Sequence, residues 1–223
     1  MKPKTLIFPY LPELDIHLSD GNVDAVVNTL DSSGVRQTID IANWENDYPY
    51  RPLTAVTVAH SGTAMYLDFF VRCNYMRAVN TDNQSAVSED SCVEFFVSPE
   101  SDSHYWNFEF NCIGTINASH RTCRNNPTRL SEEELNRIVR YPSCGTRPFC
   151  ELEGLFTWNL LVVIPLSVIN TTFNGTPIEM TANFYKCATK TSAPHYLSWS
   201  PVDTPQPDFH KPEFFGKIRL ECK

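Results

Sequence analysis

Short segments of alternating apolar and polar residues run along most of the chain, and they predict β-strands. The segments are rich in β-branched and aromatic residues and are separated by clusters of Gly, Pro, Asn and Asp, which is the pattern of strands joined by turns. The clearest are TAVTVAH (54–60), AMYLDFFVR (64–72), SCVEFFVS (91–98), YWNFEFNCIGTINAS (105–119), FTWNLLVVIPL (156–166), IEMTANFYKC (178–187) and FGKIRLEC (215–222). Because regular helices do not alternate with the strands, we expect an all-β sandwich with jelly-roll-like or immunoglobulin-like layers.

One short helix is predicted near residues 131–140. Ser131 is an N-cap residue with Glu134 three positions later, which is a capping box, and apolar residues then follow at helical spacing. The remainder of the chain contains neither an internal repeat nor a convincing linker. The 223 residues are therefore expected to form one domain, 1–223.

The charge of the chain narrows the choice of partners. A formal net charge of −8 disfavours binding to nucleic acid and to anionic membranes, so neither is an expected partner. Prolines interrupt the apolar run at the N-terminus, which lacks the apolar core of a signal peptide, and no stretch is long enough for a membrane span. As written, the sequence predicts a soluble cytoplasmic protein; it would be extracytoplasmic if an export signal had been removed or missed.

The chain has eight cysteines, and an even number is also typical of a disulfide framework, which a cytoplasmic protein would rarely have. The chain is long enough to bury a core without disulfides, and several cysteines fall within predicted strands, where a thiol acts as a small apolar side chain. No C-x-x-C spacing occurs. We expect reduced structural thiols, with disulfides as the alternative.

Three predicted strands have one apolar face and one face that mixes rings with polar groups. If these strands are neighbours, Arg72, Glu94, Glu109 and Asn111 line a common surface. Such a surface suits sugars, because pyranose rings stack on aromatic side chains and hydroxyls need paired donors and acceptors. A solvated sheet face with an ordinary pair between Arg72 and Glu94 is the alternative.

Catalytic and metal-binding interpretations remain open as well. Two of the carboxylates of Asp90, Glu94 and Glu109 would serve as a glycosidase acid pair if they faced each other across a cleft. Cys187 with His195 would be a nucleophile and base, but no oxyanion motif accompanies them. A metal site at His195 and His210 would need further ligands, so a structural role is favoured for both histidines.

The chain resembles the family 9 carbohydrate-binding modules, and most closely the stand-alone bacterial family 9-like proteins of the wider DOMON-type β-sandwich group. The blocks that carry the resemblance run in order along most of the chain. They are IANWEND (41–47), LDFFVRCN (67–74), EDSCVEFFVSP (89–99), YWNFEFNCIGTI (105–116), the helix near 131–140, WNLLVVIPLSVI (158–169), ANFYKC (182–187), PHYLSWSPV (194–202) and FHKPEFFGKIRL (209–220).

The resemblance implies a non-catalytic sugar-binding β-sandwich with a role in polysaccharide utilisation. No cofactor is expected to be required, although structural calcium is common in such modules. Two tryptophans typically enclose the end of a glycan. By motif, Glu94 and Trp199 are the residues carried over, whereas Arg72 and Asn111 come from the strand faces, and Tyr196 and His195 are expected as further contacts.

One departure from the family pattern keeps two alternatives open. The loop before Asp90, TDNQSAVSED, has no tryptophan where the first stacking ring is expected. The chain is then either a sugar-binding protein with a different first ring or a structural or interaction domain that has lost the site. A glycoside-processing enzyme using Glu94 and Glu109 is the third hypothesis.

Overall fold

The computed structural model describes residues 4–99 and 104–222. Within these ranges the chain forms thirteen strands and three α-helices. The strands are β1 (Thr5–Phe8), β2 (Val35–Thr38), β3 (Leu53–His60), β4 (Ala64–Ala78), β5 (Cys92–Ser98), β6 (Tyr105–Asn111), β7 (Ile116–Arg121), β8 (Pro127–Arg129), β9 (Val139–Pro142), β10 (Phe149–Pro165), β11 (Ile178–Ala188), β12 (His195–Ser198) and β13 (Gly216–Leu220). The helices are α1 (Glu13–Ser19), α2 (Val23–Ser33) and α3 (Glu132–Arg137).

The strands form two sheets, as the sandwich prediction requires. Sheet A has the order β1-β13-β11-β5-β6-β7-β8, with β12 also paired to β11, and sheet B has the order β2-β3-β4-β10-β9. Strand β1 is parallel to β13, whereas the other strand pairs are antiparallel. The predicted β-sandwich is confirmed.

The main core lies between the two sheets, and its side chains follow the predicted alternation. The apolar faces of β4, β5 and β6 meet there and are almost fully buried. Their core residues are Leu67, Phe69, Val71, Val93, Phe95, Val97, Trp106, Phe108 and Phe110. Because side chains alternate along a strand, the residues between them on β5 and β6 point to the outer face of sheet A.

Helices α1 and α2 pack on the outer face of sheet B and bury Leu14, Val26 and Leu30 against β4 and β10. Asn22 caps α2 by accepting a hydrogen bond from the Ala25 amide at 3.0 Å. The sequence predicted one helix, and the described part of the structure has three. Helix α3 begins with the predicted capping box of Ser131 and is shorter than expected. No helix in the described part of the chain is long and apolar enough to cross a membrane.

Residues 199–215, called here the C-terminal segment, cover the outer face of sheet A. Strands β12 and β13 pair with successive parts of the same edge of β11, so the chain between them leaves the sheet and returns to it. A second apolar cluster forms under the segment, where Val202, Phe209 and Phe215 pack on the outer rings of the sheet. The sandwich thus has a third, irregular layer on one side.

Candidate functional site

A cavity of about 200 Å³ lies between the outer face of sheet A and the C-terminal segment. It is below the range of roughly 300–1,000 Å³ that is usual for drug-sized ligands, so it fits a small occupant. Its lining combines carboxyl groups, hydroxyls, a guanidinium and rings. The residues are Ser88, Glu94, Glu109, Arg124, Cys187, Thr189, Tyr196, Pro207, Asp208, Phe209 and His210.

The floor of the cavity contains Glu94 and Glu109, the two central members of a row of side chains that crosses four strands. Tyr185 on β11 is opposite Glu94 on β5, Glu94 is opposite Glu109 on β6, and Glu109 is opposite Asn117 on β7. The side chain of Asn117 donates to Glu109 Oε2 at 3.1 Å, and Asn107 donates to Glu109 Oε1 at 3.0 Å. Both oxygens of Glu109 are therefore held by amides, and this carboxyl group is fixed in place.

Among the described residues, Glu94 has hydrogen bonds from protein groups at one oxygen only, so its second oxygen remains for a ligand. Its Oε1 accepts from the Cys187 thiol at 3.1 Å. Burial raises the pKa of Glu94 well above its usual range, and the neighbouring Cys187 and Glu109 raise it further. Burial also raises the pKa of Glu109, opposed by hydrogen bonds from Asn117 and Asn107. The carboxyl group of Glu94 accepts hydrogen bonds from hydroxyls, and its protonated form, which burial favours, also donates one.

Two rings form the apolar part of the lining. Phe209 stacks on Tyr185 with ring centroids 4.0 Å apart and planes 12° apart, and the Tyr185 hydroxyl donates to the Phe209 carbonyl at 3.1 Å. Tyr196 packs edge-on against Tyr48, with centroids 4.8 Å apart. Both rings are held by neighbouring rings, so they present fixed apolar surfaces to the cavity.

The open side of the cavity carries charged and polar groups from two loops. Arg124 pairs with Asp208 at 2.8 Å. His210 Nδ1 lies 3.1 Å from the Tyr105 hydroxyl. Burial, with the nearby Arg121 and Arg124, lowers the pKa of His210 to about 3. The imidazole is therefore neutral, and its hydrogen bonding is constant near neutral pH.

The family model for carbohydrate-binding family 9 matches residues 24–220. The chain belongs to carbohydrate-binding family 9. A comparison with the curated proteins found no match.

Solved structures share the family 9 fold. A crystal structure from Bacteroides uniformis ATCC 8492, of a protein proposed to bind carbohydrate, is 35% identical; the match covers 99% of this chain and 100% of that one, with a TM-score of 0.85. A family 9 module from Caldicellulosiruptor kristjanssonii in complex with cellotriose is 13% identical, with 99% and 95% covered and a TM-score of 0.59. The same organism's module in complex with glucose is 17% identical, with 99% and 97% covered and a TM-score of 0.58. At the two lower identities the similarity concerns the fold alone.

Two of the predicted contact residues, Glu94 and Tyr196, line the cavity of this family 9 chain. Asn111 is on the same face of sheet A, but it is fully buried and holds the loop before β5. Its side-chain amide donates to Asp90 Oδ2 at 3.0 Å and to the Asn80 carbonyl at 2.8 Å. Asn111 thus orders the backbone beside the cavity and does not line the cavity itself.

Trp199 lies elsewhere. Its side chain is 0% exposed, packs edge-on against Phe184 between the sheets, and donates from Nε1 to Gln37 Oε1 at 3.2 Å. A ring without exposed surface offers no face to a sugar, so the structure gives no support to the predicted stacking role. The position immediately after β12 explains the burial, because Trp199 closes the core where the C-terminal segment leaves the sheet.

His195 and Arg72 also lie away from the cavity. His195 is buried, with Nδ1 donating to the Ala193 carbonyl at 2.9 Å and Nε2 accepting from Lys186 Nζ at 3.0 Å. Arg72 is exposed on β4 of sheet B, whereas Glu94 and Glu109 belong to sheet A. The common surface predicted for these residues is therefore corrected: Glu94 and Glu109 share it, and Arg72 does not.

The structure adds cavity residues that the sequence interpretation missed, namely Phe209, His210, Asp208 and Arg124. A usable signal was present in PDFHKP (207–212), where prolines bracket a phenylalanine and a histidine. Proline removes such a segment from the sheet ladder, and loops that lie over a rigid scaffold commonly carry binding residues. The sequence around Arg124 has no comparable pattern that would predict a role in the cavity.

The arrangement does not favour the catalytic interpretations. Glu94 and Glu109 are adjacent on one sheet face, both in the floor, whereas a glycosidase pair flanks the scissile bond from two sides. Cys187 lines the cavity, whereas His195 hydrogen bonds Lys186 away from it. His210 lines the cavity without His195, so the proposed histidine metal pair is not brought together.

The expected structural calcium stays a prediction, and one group of metal-binding side chains can be compared with what calcium requires. In residues 4–99 and 104–222, the side chains that approach each other as three or more metal ligands are Cys92, Glu94 and Cys187. Calcium requires six to eight oxygen ligands, and two thiols do not suit it. This group of side chains therefore does not fit calcium.

Proposed function

We propose that this family 9 protein is a non-catalytic carbohydrate-binding protein whose cavity takes one sugar ring, either a monosaccharide or the end of a glycan. The observation that carries the proposal is the row of Glu94 and Glu109 across the cavity floor, beneath the fixed rings of Tyr196 and Phe209. Polysaccharide utilisation is the biological context that we propose for it.

The chemistry of the lining supports a sugar over other small ligands. A pyranose has apolar C–H faces for the rings and a periphery of hydroxyls that donate and accept hydrogen bonds. Glu94, the amide-bound Glu109 and the neutral His210 supply hydrogen-bonding atoms to the cavity. The volume of about 200 Å³ limits the occupant to a small ligand and favours a terminal unit over an internal segment of a long chain.

The related structures indicate which sugars to try first. The Caldicellulosiruptor kristjanssonii modules were solved with cellotriose and with glucose, so glucose and β-glucan ends are the first candidates for this chain. The rings differ from the expected pair of tryptophans. Tyr196 and Phe209 would supply the aromatic surface here, since Trp199 is buried.

Isothermal titration calorimetry with glucose, cellotriose, galactose, mannose and xylose tests the proposal. We expect saturable heat with at least one of them, and a loss of about tenfold or more in affinity for Glu94→Ala, which removes both oxygens of the carboxyl group. Tyr196→Ala should lower the affinity for the same sugar.

Arg72→Ala is the matched control, because it removes a polar side chain that the sequence also suggested but that lies on sheet B. It should leave the affinity unchanged. The absence of heat with every sugar, or an affinity unaffected by Glu94→Ala, would contradict the proposal.

A further inference from the structure

Two thiols and a carboxyl group meet at the cavity, which Cys187 and Glu94 line and beneath which Cys92 is buried. Cys92 on β5 is directly opposite Cys187 on β11, and Glu94 lies two residues after Cys92 on the same face of the sheet. The Cys187 thiol donates to Glu94 Oε1 at 3.1 Å. Cys92 Sγ is 3.9 Å from the same oxygen.

We propose that Cys92, Glu94 and Cys187 form a binding site for a thiophilic divalent cation such as Zn²⁺. This inference does not rest on the proposed sugar binding. It rests on the three ligand atoms, which all lie within 4.8 Å of one another.

The distances match those that zinc needs. With Zn–S of about 2.3 Å and Zn–O of about 2.0–2.2 Å, tetrahedral ligand atoms are separated by about 3.4–3.8 Å. The observed separations of 3.1 and 3.9 Å between Glu94 Oε1 and the two sulfurs bracket this range. Side-chain rotations that move these atoms by a few tenths of an ångström would complete three positions of a tetrahedron.

The fourth position would face the cavity. Cys187 and Glu94 both line the cavity, so a water molecule or a small ligand can reach a cation bound there. Three protein ligands with one open position distinguish such a site from the closed four-ligand zinc sites that only hold a fold together. The open position gives the cation access to whatever enters the cavity.

Two carboxyl groups add negative charge at the cluster, and Lys186 near Glu94 and Arg121 near Glu109 offset part of it. Glu109 is opposite Glu94 in the floor. In the described ranges, neither carboxyl group has a Lys or Arg within salt-bridge distance. A dication that displaces the protons of the two thiols and of Glu94 would receive compensating negative charge from these ligands. Thiolate ligands select zinc-type cations over calcium and magnesium.

Cobalt(II) titration of the reduced, chelator-treated full-length chain tests the site, since Co²⁺ substitutes for Zn²⁺ and reports thiolate ligands by a charge-transfer absorption. A background of Cys123→Ser and Cys150→Ser removes two exposed thiols. We expect one Co²⁺ per chain with a thiolate band that Zn²⁺ displaces. Loss of outer contacts alone typically weakens metal binding about 10–100-fold, so Cys92→Ser and Cys187→Ser should each weaken it at least 100-fold.

Glu94→Gln keeps both thiols, so it should weaken Co²⁺ binding and leave a weaker thiolate band. This variant tests the site even if a buried serine at Cys92 or Cys187 impairs folding. Cys73→Ser, at a buried thiol in the main core, is the matched control and should leave the titration unchanged. The proposal is overturned if no thiolate band appears, if the band survives in the Cys92→Ser/Cys187→Ser double variant, or if mass spectrometry finds the two cysteines joined as a disulfide. Sugar binding is measured independently by calorimetry, so the metal site and the sugar site can each be disproved without the other.

Discussion

The ring of Trp199 lies directly against Gly216, the first residue of β13. A Cβ at Gly216 would come within 2.5 Å of Trp199 Cζ3 and 2.8 Å of the Lys4 carbonyl oxygen. This contact joins the start and the end of the C-terminal segment, because the segment leaves the sheet at Trp199 and rejoins it at Gly216. It explains why the predicted sugar-stacking ring is part of the core.

Gly216→Ala should destabilise the fold by about 1–3 kcal/mol, the usual cost of adding a methyl group to a well-packed core. One of the clashing groups is backbone, so the site relaxes poorly. Thermal or urea unfolding measures the loss. Gly154→Ala is the control, because its Cβ would meet only the Phe156 ring, at 3.0 Å, on an exposed part of β10. Equal stabilities of the two variants would contradict this account of the contact.

Changes at Trp199 should affect stability and leave sugar affinity nearly intact. Trp199→Phe keeps an apolar ring but loses volume and the hydrogen bond to Gln37, so we expect a loss of about 1–3 kcal/mol in the free energy of unfolding. The ring does not line the cavity, so the dissociation constant should change less than about threefold well below the melting temperature.

Tyr196→Ala provides the opposite case, with weaker sugar binding and a smaller loss of stability. Urea unfolding and calorimetry on the same preparations separate the two effects. If Trp199→Phe lost much of its sugar affinity while the folded fraction stayed unchanged, Trp199 would have to contribute to sugar binding, and this prediction would be wrong.

The parts of the fold that the sequence predicted are those in which a local pattern determines the structure. The period of two in YLDFFVR and CVEFFV identified β4 and β5 and their core faces, because side chains two positions apart lie on the same face of a strand. Helix α2 was missed even though Val23, Val26, Val27 and Leu30 have helical spacing after Asn22. The sequence therefore contains a local signal for α2.

The candidate site was harder to predict, because alternation assigns a residue to a face but not to a sheet. Arg72 and Glu94 have equivalent positions in similar strands, yet β4 and β5 belong to different sheets. The cavity also depends on the C-terminal segment, which follows no repeating pattern and lies far along the chain from β5 and β6. The prolines of PDFHKP indicate that the segment leaves the sheet, but its path over sheet A is determined by packing of Phe209 and its neighbours on the outer rings of the sheet.

The capping box of α3 provides a prediction that is independent of the cavity. Ser131 Oγ accepts from the Glu134 amide, and the Glu134 side chain accepts from the Ser131 amide at 2.8 Å. Ser131→Ala should therefore lower the free energy of unfolding by about 1 kcal/mol, the typical value for the loss of such a cap. Ser131→Thr keeps the hydroxyl and should cost less. Urea unfolding compares the variants, and equal losses for Ala and Thr would argue against the cap.

Asp68 should make stability depend on pH. It is 6% exposed on β4, and its pKa is raised from 3.8 to about 6, mainly by burial and then by Asp31, against the opposing effects of Arg36 and Asn159. The folded chain therefore holds this proton more tightly than the unfolded chain does. The cost of ionising Asp68 is absent below about pH 4, grows between about pH 4 and pH 6, and is complete above that range.

Asp68→Asn removes this cost, because the amide does not ionise. Relative to the wild type, the variant should gain up to about 3 kcal/mol as the pH rises from about 4 to 6, since each tenfold change in proton affinity corresponds to about 1.4 kcal/mol. Urea unfolding of both proteins at a series of pH values measures the difference. Asp31→Asn should give a smaller pH-dependent gain, because Asp31 is the second cause of the raised pKa. A difference between Asp68→Asn and wild type that stays constant across this range would show that Asp68 ionises equally well in the folded and unfolded chains.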